Sequence, residues 1–204
     1  MTGTARRPIA LLGVPLDANS SHLFGCAGGP TAIRQALRSG SGNDATERGV
    51  DVIGAIDDQG DVEVSNERGS VADADAITAA IAAILDDGRR PLSLGGDHSV
   101  TFPILRAVAE RFDDLTVVHV DAHPDLYDDL DGNPLSHASP FARAMEEGLM
   151  TRLVQLGIRT ANAHQREQAT RFGVEMLGPR QLERFDPFSI RGPVYLSVDL
   201  DGLD

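Results

Sequence analysis

The chain has 204 residues, a formal net charge of −13 at pH 7, 41% hydrophobic residues and no tryptophan. Such an acidic chain excludes nucleic acid and anionic membranes as partners held by a general electrostatic field, but it attracts metal ions and cationic substrates. Cys26 is the single cysteine, so no internal disulfide can form and we expect a cytoplasmic location. No stretch of the sequence reaches the length of a transmembrane helix.

Strands and helices are predicted to alternate in the first half of the chain. The apolar run 9–14 is typical of a buried strand, and a Gly-rich loop separates it from a helix that begins near Pro30. Residues 50–53 are a possible strand, and the remainder of 47–70 is predicted to be an acidic surface loop. Residues 73–85 are predicted to be helical, because isoleucines recur on one face among helix-favouring alanines.

The second half continues this alternation. The predicted elements are the strand 91–94, the helix 101–112, the strand 115–120, the helix 139–147, the strand 153–156, the helix 163–172, and the strands 174–177 and 194–198. Strands that alternate with helices predict one α/β domain over residues 1–204, with a mostly parallel sheet covered on both faces.

Three charged motifs begin where predicted strands end. In open α/β sheets, ligands bind at the carboxyl ends of the strands, so we expect these motifs to meet at one edge of the sheet. Together they supply two imidazoles and four carboxylates, which is enough for two divalent ions that share bridging carboxylates. The candidate ligands are His98, Asp121, His123, Asp125, Asp199 and Asp201.

The second motif has its candidate ligands at alternate positions. Alternate residues on an extended backbone point to the same side, so Asp121, His123 and Asp125 can face one point if the backbone stays extended. Pro124 favours this, because a proline pushes the preceding residue toward extended conformations. Carboxylates and imidazoles without a thiolate suit Mn²⁺, with Co²⁺, Fe²⁺, Ni²⁺ or Zn²⁺ as possible substitutes.

The three motifs read GGDHS at 95–99, DAHPD at 121–125 and SVDLD at 197–201, and together they resemble the arginase/agmatinase, or ureohydrolase, family. The segments LDANSS at 16–21 and GNPLSHAS at 132–139 are most similar to its plant-type arginase branch. The resemblance extends from the N-terminus through Asp204. It implies a single three-layer α/β/α domain of the arginase/deacetylase type.

The resemblance also implies a role for each candidate ligand. His98 and Asp125 are the terminal ligands of one manganese ion, and His123 and Asp201 are those of the other. Asp121 and Asp199 bridge the two ions. The implied reaction is hydrolysis of the guanidinium group of arginine or agmatine to urea and an amine, ornithine or putrescine, by a hydroxide that bridges the metals.

Further residues take roles from the same resemblance. Asp125 accepts a hydrogen bond from the hydroxide, and His137 is the proton shuttle, for which imidazole has a suitable pKa. Asn133, Ser136 and His137 are the expected substrate contacts. The resemblance implies a homotrimer or homohexamer as the assembly.

Two features depart from the family pattern. Family members continue beyond the position of Asp204 and carry there a glutamate that receives the guanidinium, so we expect the C-terminal part of the domain to be missing and the last strand to be poorly buried. The segment between Asp125 and His137 differs from that of animal-type arginases. Arginine is therefore only slightly preferred over agmatine as the expected substrate.

Two alternative functions stay open on the sequence. One is a zinc-dependent deacetylase of the related fold, which needs a single metal and leaves His98 and Asp201 without a role. The other is a non-catalytic or inactive ureohydrolase-like subunit that binds a cation or stabilises a partner.

Overall fold

The computed structural model describes residues 9–203, which form seven strands and five α-helices. The strands are β1 (Ile9–Gly13), β2 (Ile56–Asp61), β3 (Arg90–Leu94), β4 (Thr116–Val120), β5 (Arg152–Leu156), β6 (Glu175–Leu177) and β7 (Val194–Val198). The helices are α1 (Gly29–Leu37), α2 (Val71–Asp86), α3 (Thr101–Ala109), α4 (Pro140–Glu146) and α5 (Ala163–Phe172).

The strands pair in parallel in two separate sheets, of order β2-β1-β3 and β6-β5-β4-β7. This confirms the predicted parallel α/β class, although the described residues divide between two sheets instead of one. β7 is an edge strand whose Val194, Leu196 and Val198 are 49, 60 and 49% exposed. The expectation that the last strand is poorly buried is therefore confirmed.

The inner strands are covered on both faces. In β4, the consecutive residues Val117, Val118 and His119 are all buried, although their side chains alternate between the two faces of the sheet. Helix α2 contributes Ile77 and Ile81, both fully buried, and it packs against α3. Burial of each isoleucine side chain stabilises the fold by roughly 1.5–3 kcal/mol.

The acidic segment before α2 contains a strand that the sequence analysis placed wrongly. Residues 50–53 form no strand, and β2 lies instead within the predicted loop. β2 is an edge strand that pairs only with β1, and its Asp58 and Asp61 form ion pairs with Arg34 of α1. The local sequence of β2 lacks the apolar pattern of a strand, because these distant partners stabilise it instead.

A close backbone contact joins the loop after β3 to the loop after β1. The Asp97 amide donates to the Leu16 carbonyl oxygen at 2.7 Å. A β-carbon built on Gly96 would lie only 2.0 Å from that same oxygen. Glycine therefore allows the approach that places His98, two residues further on, at the start of a short 3₁₀ segment.

We expect Gly96→Ala to destabilise the protein by about 1–3 kcal/mol or more, because backbone atoms must move to admit the methyl group. Chemical denaturation followed by circular dichroism measures this change. Gly28→Ala is the matched control, since Gly28 has φ −75° and no atom within 4 Å of a built β-carbon. Equal stability of the two variants would contradict the close contact.

Candidate metal centre

Three loops at the carboxyl ends of β3, β4 and β7 deliver the candidate ligands to one cleft. β4 and β7 are hydrogen-bonded neighbours, and the Asp199 amide donates to the Val120 carbonyl at 2.9 Å, which continues their pairing past the strand ends. The cleft is a cavity of about 1160 Å³. Among the described residues that line it, five are aspartates and none is an arginine, so the cleft favours cations.

The buried half of the centre is built around His98. Its Nδ1 lies 2.6 Å from Asp125 Oδ2 and 3.3 Å from Asp121 Oδ2. Its other ring nitrogen, Nε2, lies 2.9 Å from Ser197 Oγ. The hydroxyl of Ser197 thus anchors the far side of the ring, and Nδ1 faces the two carboxylates that would bind a metal ion with it.

The exposed half is built around His123. Its Nδ1 lies 3.0 Å from Asp201 Oδ2 and 3.4 Å from Asp121 Oδ1. The side chains of His123 and Asp201 are 50 and 46% exposed, whereas that of Asp121 is 1% exposed. The two oxygens of Asp121 therefore face different groups of ligands, which is the arrangement that a bridging carboxylate requires.

Asp199 stands apart from both groups among the described residues. Its Oδ1 accepts a hydrogen bond from the Asp201 amide at 3.0 Å, and its side chain joins neither set of convergent ligand atoms. Asp199 nevertheless influences the centre electrostatically. Burial raises the pKa of Asp201, and the negative charges of Asp199 and Asp121 raise it further. The structure thus brings five of the six predicted ligands together, and the bridging role of Asp199 stays a prediction.

Opposing electrostatic effects act in the buried half. Burial lowers the pKa of His98, but the carboxylates of Asp121 and Asp125 outweigh it and raise that pKa to about 10. Burial likewise opposes the charge of Asp121, but hydrogen bonds with His119 and His98 hold its pKa well below the ordinary value. The Asp121 carboxylate is thus charged, and it lies close to that of Asp125. A divalent cation suits this environment, because it satisfies the carboxylates and takes the lone pair of a neutral imidazole.

The second motif was predicted to be extended, but its backbone is not. Asp125 has φ +49°, in the left-handed region, and the His123 amide donates to Asp121 Oδ1 at 2.6 Å in a tight local turn. Asp tolerates left-handed backbone better than most residues. The turn brings Asp125 to His98 and leaves His123 to face Asp201, so the three side chains serve two ligand groups instead of one point.

His119 is a member of the buried group that the sequence analysis missed. It is fully buried, and its Nε2 lies 2.7 Å from Asp121 Oδ2. Burial lowers its pKa, so the ring is neutral near pH 7. The available signal was a polar residue at the fourth position of a strand whose second, third and fifth residues are hydrophobic. Gln155 of β5 and Ser197 of β7 follow the same pattern, and both lie in register with His119.

His137 lines the cleft, and its role as a proton shuttle stays a prediction. Its Nδ1 lies 2.8 Å from the carbonyl oxygen of Asn19. A carbonyl can only accept, so Nδ1 carries a proton and donates this hydrogen bond. Among the described residues, Nε2 has no hydrogen-bond partner, which leaves it available to a ligand.

Asn133 and Ser136 lie behind the wall of the cleft. They are 5 and 2% exposed, and the cleft lining does not include them. Asn133 Nδ2 donates to Asn19 Oδ1 at 2.8 Å, and Ser136 Oγ accepts from the Ala138 amide at 3.3 Å. These bonds hold the loop that carries His137, and direct contact of either side chain with a substrate stays a prediction.

The fold and the site together define the class: α/β proteins with parallel strands and a histidine–carboxylate centre at the carboxyl ends of those strands. The family model described as "Arginase family" matches residues 7–204. The chain belongs to the arginase family, which confirms the resemblance seen in the sequence.

Known proteins support this assignment. The chain is 42% identical to arginase 1, mitochondrial, of Arabidopsis thaliana over its whole length, and it is 35% identical over 96% of its length to the mitochondrial agmatinase of Gallus gallus. These matches cover 64 and 61% of the two relatives, so the chain spans less than two thirds of their length. The solved arginase from Medicago truncatula matches with a TM-score of 0.88 and 41% identity, over 98% of this chain and 67% of that one.

No helix within residues 9–203 combines the length and the apolar character that a membrane span requires. α2 has 16 residues and α5 has 10. A transmembrane helix needs about 20 apolar residues.

Proposed function

We propose that this chain forms the metal centre of a ureohydrolase, which hydrolyses a guanidinium group to urea and an amine. The observation that carries the proposal is the orientation of Asp121, whose Oδ2 faces His98 and whose Oδ1 faces His123. One carboxylate between two imidazoles supports a pair of ions that share it. The single domain over residues 1–204 is part of the same proposal.

His98, Asp121 and Asp125 would hold one ion, and His123, Asp121 and Asp201 the other, with Asp199 as a second bridge. We propose Mn²⁺ at both positions because the ligands are carboxylates and imidazoles without a thiolate, and Co²⁺, Fe²⁺, Ni²⁺ or Zn²⁺ would suit the same set. When bound, such a pair of ions lowers the pKa of a shared water and orients it for attack. A deacetylase with one zinc ion would leave His98 and Asp201 without a role.

A cationic guanidino compound is the proposed substrate. The aspartates of the cleft attract a positively charged group, and their fields are strongest where water is excluded. Arginine is preferred over agmatine because identity to the Arabidopsis arginase is 42%, against 35% to the chicken agmatinase. The products would be urea with ornithine, or urea with putrescine, which places the protein in arginine or polyamine metabolism.

Two residues of the chain would handle the protons of the reaction. Asp125 is placed to accept a hydrogen bond from the attacking water and so to fix its orientation. His137 lines the cleft while Asn19 holds Nδ1, so Nε2 would take up a proton from the attacking water and pass it to the departing amino group. Such general acid catalysis contributes typically ~10²–10⁴-fold to the rate.

We also propose a cytoplasmic location and a homotrimeric or homohexameric assembly. The single cysteine supports a reducing compartment. The plant relatives are named as mitochondrial or chloroplastic proteins, so cell fractionation is needed to distinguish the compartments. Sedimentation of the purified protein tests the assembly.

A urea-release panel tests the proposed activity. Purified protein loaded with Mn²⁺ should release urea from arginine, and more slowly from agmatine, and omission of the metal should abolish both reactions. A higher kcat/KM for agmatine would reverse the substrate preference and keep the reaction class. Two bound ions with no urea from any guanidino compound would contradict the activity and favour a non-catalytic subunit.

A further inference from the structure

Asp121, the carboxylate that would bridge the metal ions, is hydrogen-bonded to the end of a buried polar row that consists of Gln155 and His119. The proposed reaction does not use these two residues. Gln155 and His119 occupy paired positions on β5 and β4, and both are fully buried. Asp121 follows His119 by two residues, so both side chains leave the chain on the same side. Apolar residues at these positions would avoid the cost of burying an imidazole and an amide.

Hydrogen-bond direction along this row is set by the carbonyl oxygen of Pro124, which can only accept. Gln155 approaches it with Nε2 at 2.6 Å, so the amide nitrogen is the donor. The second hydrogen of the same nitrogen points to His119 Nδ1 at 3.1 Å. His119 Nδ1 therefore accepts and carries no proton, so the proton of the ring lies on Nε2.

The proton on His119 Nε2 decides what this residue can do at the centre. It points at Asp121 Oδ2 over 2.7 Å, so the ring donates to the carboxylate and has no lone pair there for a metal ion. Asp121 Oδ2 has a second lone pair, which remains on the side of His98 and Asp125. This hydrogen bond thus holds the orientation of the Asp121 carboxylate before any ion binds.

We propose that His119 is a positioning residue, which Gln155 orients and which sets the direction of the Asp121 carboxylate toward the ion held by His98 and Asp125. This role rests on the metal centre of the proposed function and does not require that the substrate be identified. Removal of an outer hydrogen-bond partner of a metal ligand typically lowers metal affinity ~10–100-fold.

Mn²⁺ titration followed by electron paramagnetic resonance tests this role, because the signal of free Mn²⁺ counts the bound ions without reference to activity. His119→Phe keeps the size of the ring and removes the donor, and it should weaken one of the two ions ~10–100-fold. His119→Gln supplies an amide N–H for Asp121 and a carbonyl for Gln155, and it should restore binding to near the parent value.

Val117→Ala is the matched control, because Val117 lies two residues before His119 on the same face of β4 and is fully buried. It should lower stability and leave both affinities unchanged. Equal loss in the His119→Phe and His119→Gln variants would make His119 a ligand and overturn the positioning role. Parent-like binding by His119→Phe would overturn it too.

A second variant keeps the test decisive if His119→Phe does not fold. Gln155→Met leaves His119 in place and removes the donor to its Nδ1, so the same ion should weaken by a smaller factor. Unchanged Mn²⁺ binding in this variant would overturn the proposal that Gln155 orients His119. A parent protein that binds no Mn²⁺ would overturn the metal centre itself, which distinguishes failure of the proposed function from failure of this inference.

Discussion

Asp121→Asn should remove the pair of bound metal ions and abolish urea release. The change keeps the shape of the side chain but removes its charge, and it replaces one of the two oxygens that face His98 and His123 by an amide nitrogen. An amide nitrogen cannot ligate in place of the oxygen, so the side chain can no longer bridge the two ions, and the charge that held them is gone. Because the metals supply several kcal/mol of transition-state stabilisation, we expect a loss in kcat/KM of roughly a thousandfold or more.

Metal analysis together with the urea assay measures this effect. Asp113→Asn is the matched control, because Asp113 is exposed in the turn before β4 and the substitution removes the same charge far from the ligands. It should keep two ions and parental turnover. An Asp121→Asn protein that binds two manganese ions at parental affinity would contradict the bridging role.

His137→Asn should keep both metal ions and lose turnover by ~10²–10⁴-fold. The asparagine amide can still donate to the carbonyl oxygen of Asn19, so the loop should keep its position. It cannot carry a proton near neutral pH, so the departing amine loses its acid. The expected pattern is a fall in kcat with a Mn²⁺ stoichiometry equal to that of the parent.

His164→Asn is the control for loss of an imidazole elsewhere. His164 is 42% exposed, stacks on Tyr127 and does not line the cleft. Turnover in this variant should match the parent. If His137→Asn also matched the parent, His137 would have no part in proton transfer.

Most of the candidate ligands could be predicted, because the sequence next to each of them indicates where it lies in the fold. Each ligand motif directly follows an apolar run, and the carboxyl ends of parallel strands meet at one edge of a sheet. Five of the six candidate ligands converge for this reason. The turn at Asp125 was not predictable in the same way, because its left-handed φ departs from the extended backbone that the spacing of Asp121, His123 and Asp125 indicates.

Long-range contacts explain the features that the sequence did not reveal. β2 is held by its pairing with β1 and by the ion pairs of Asp58 and Asp61 with Arg34, so its own residues read as an acidic loop. The position of His119 beside Gln155 depends on the register of two strands that are far apart in the chain. No local pattern contains that register.

The loop before His137 carries two residues whose structural role the motif did not indicate. Asn133 and Ser136 occur in a segment that resembles the family, and this resemblance implied contact with substrate. In the structure, their polar groups bond with Asn19 and Ala138 and hold the loop from behind. Both residues thus support the position of His137, and their contact with a substrate stays a prediction.

Anomalous X-ray diffraction from crystals of the protein grown with Mn²⁺ tests the proposed metal centre most directly, because it locates the metals without reference to any reaction. We expect two anomalous peaks that share the carboxylate of Asp121, one beside His98 and Asp125 and one beside His123 and Asp201. A single peak, or peaks that Asp121 does not contact, would contradict the proposed centre.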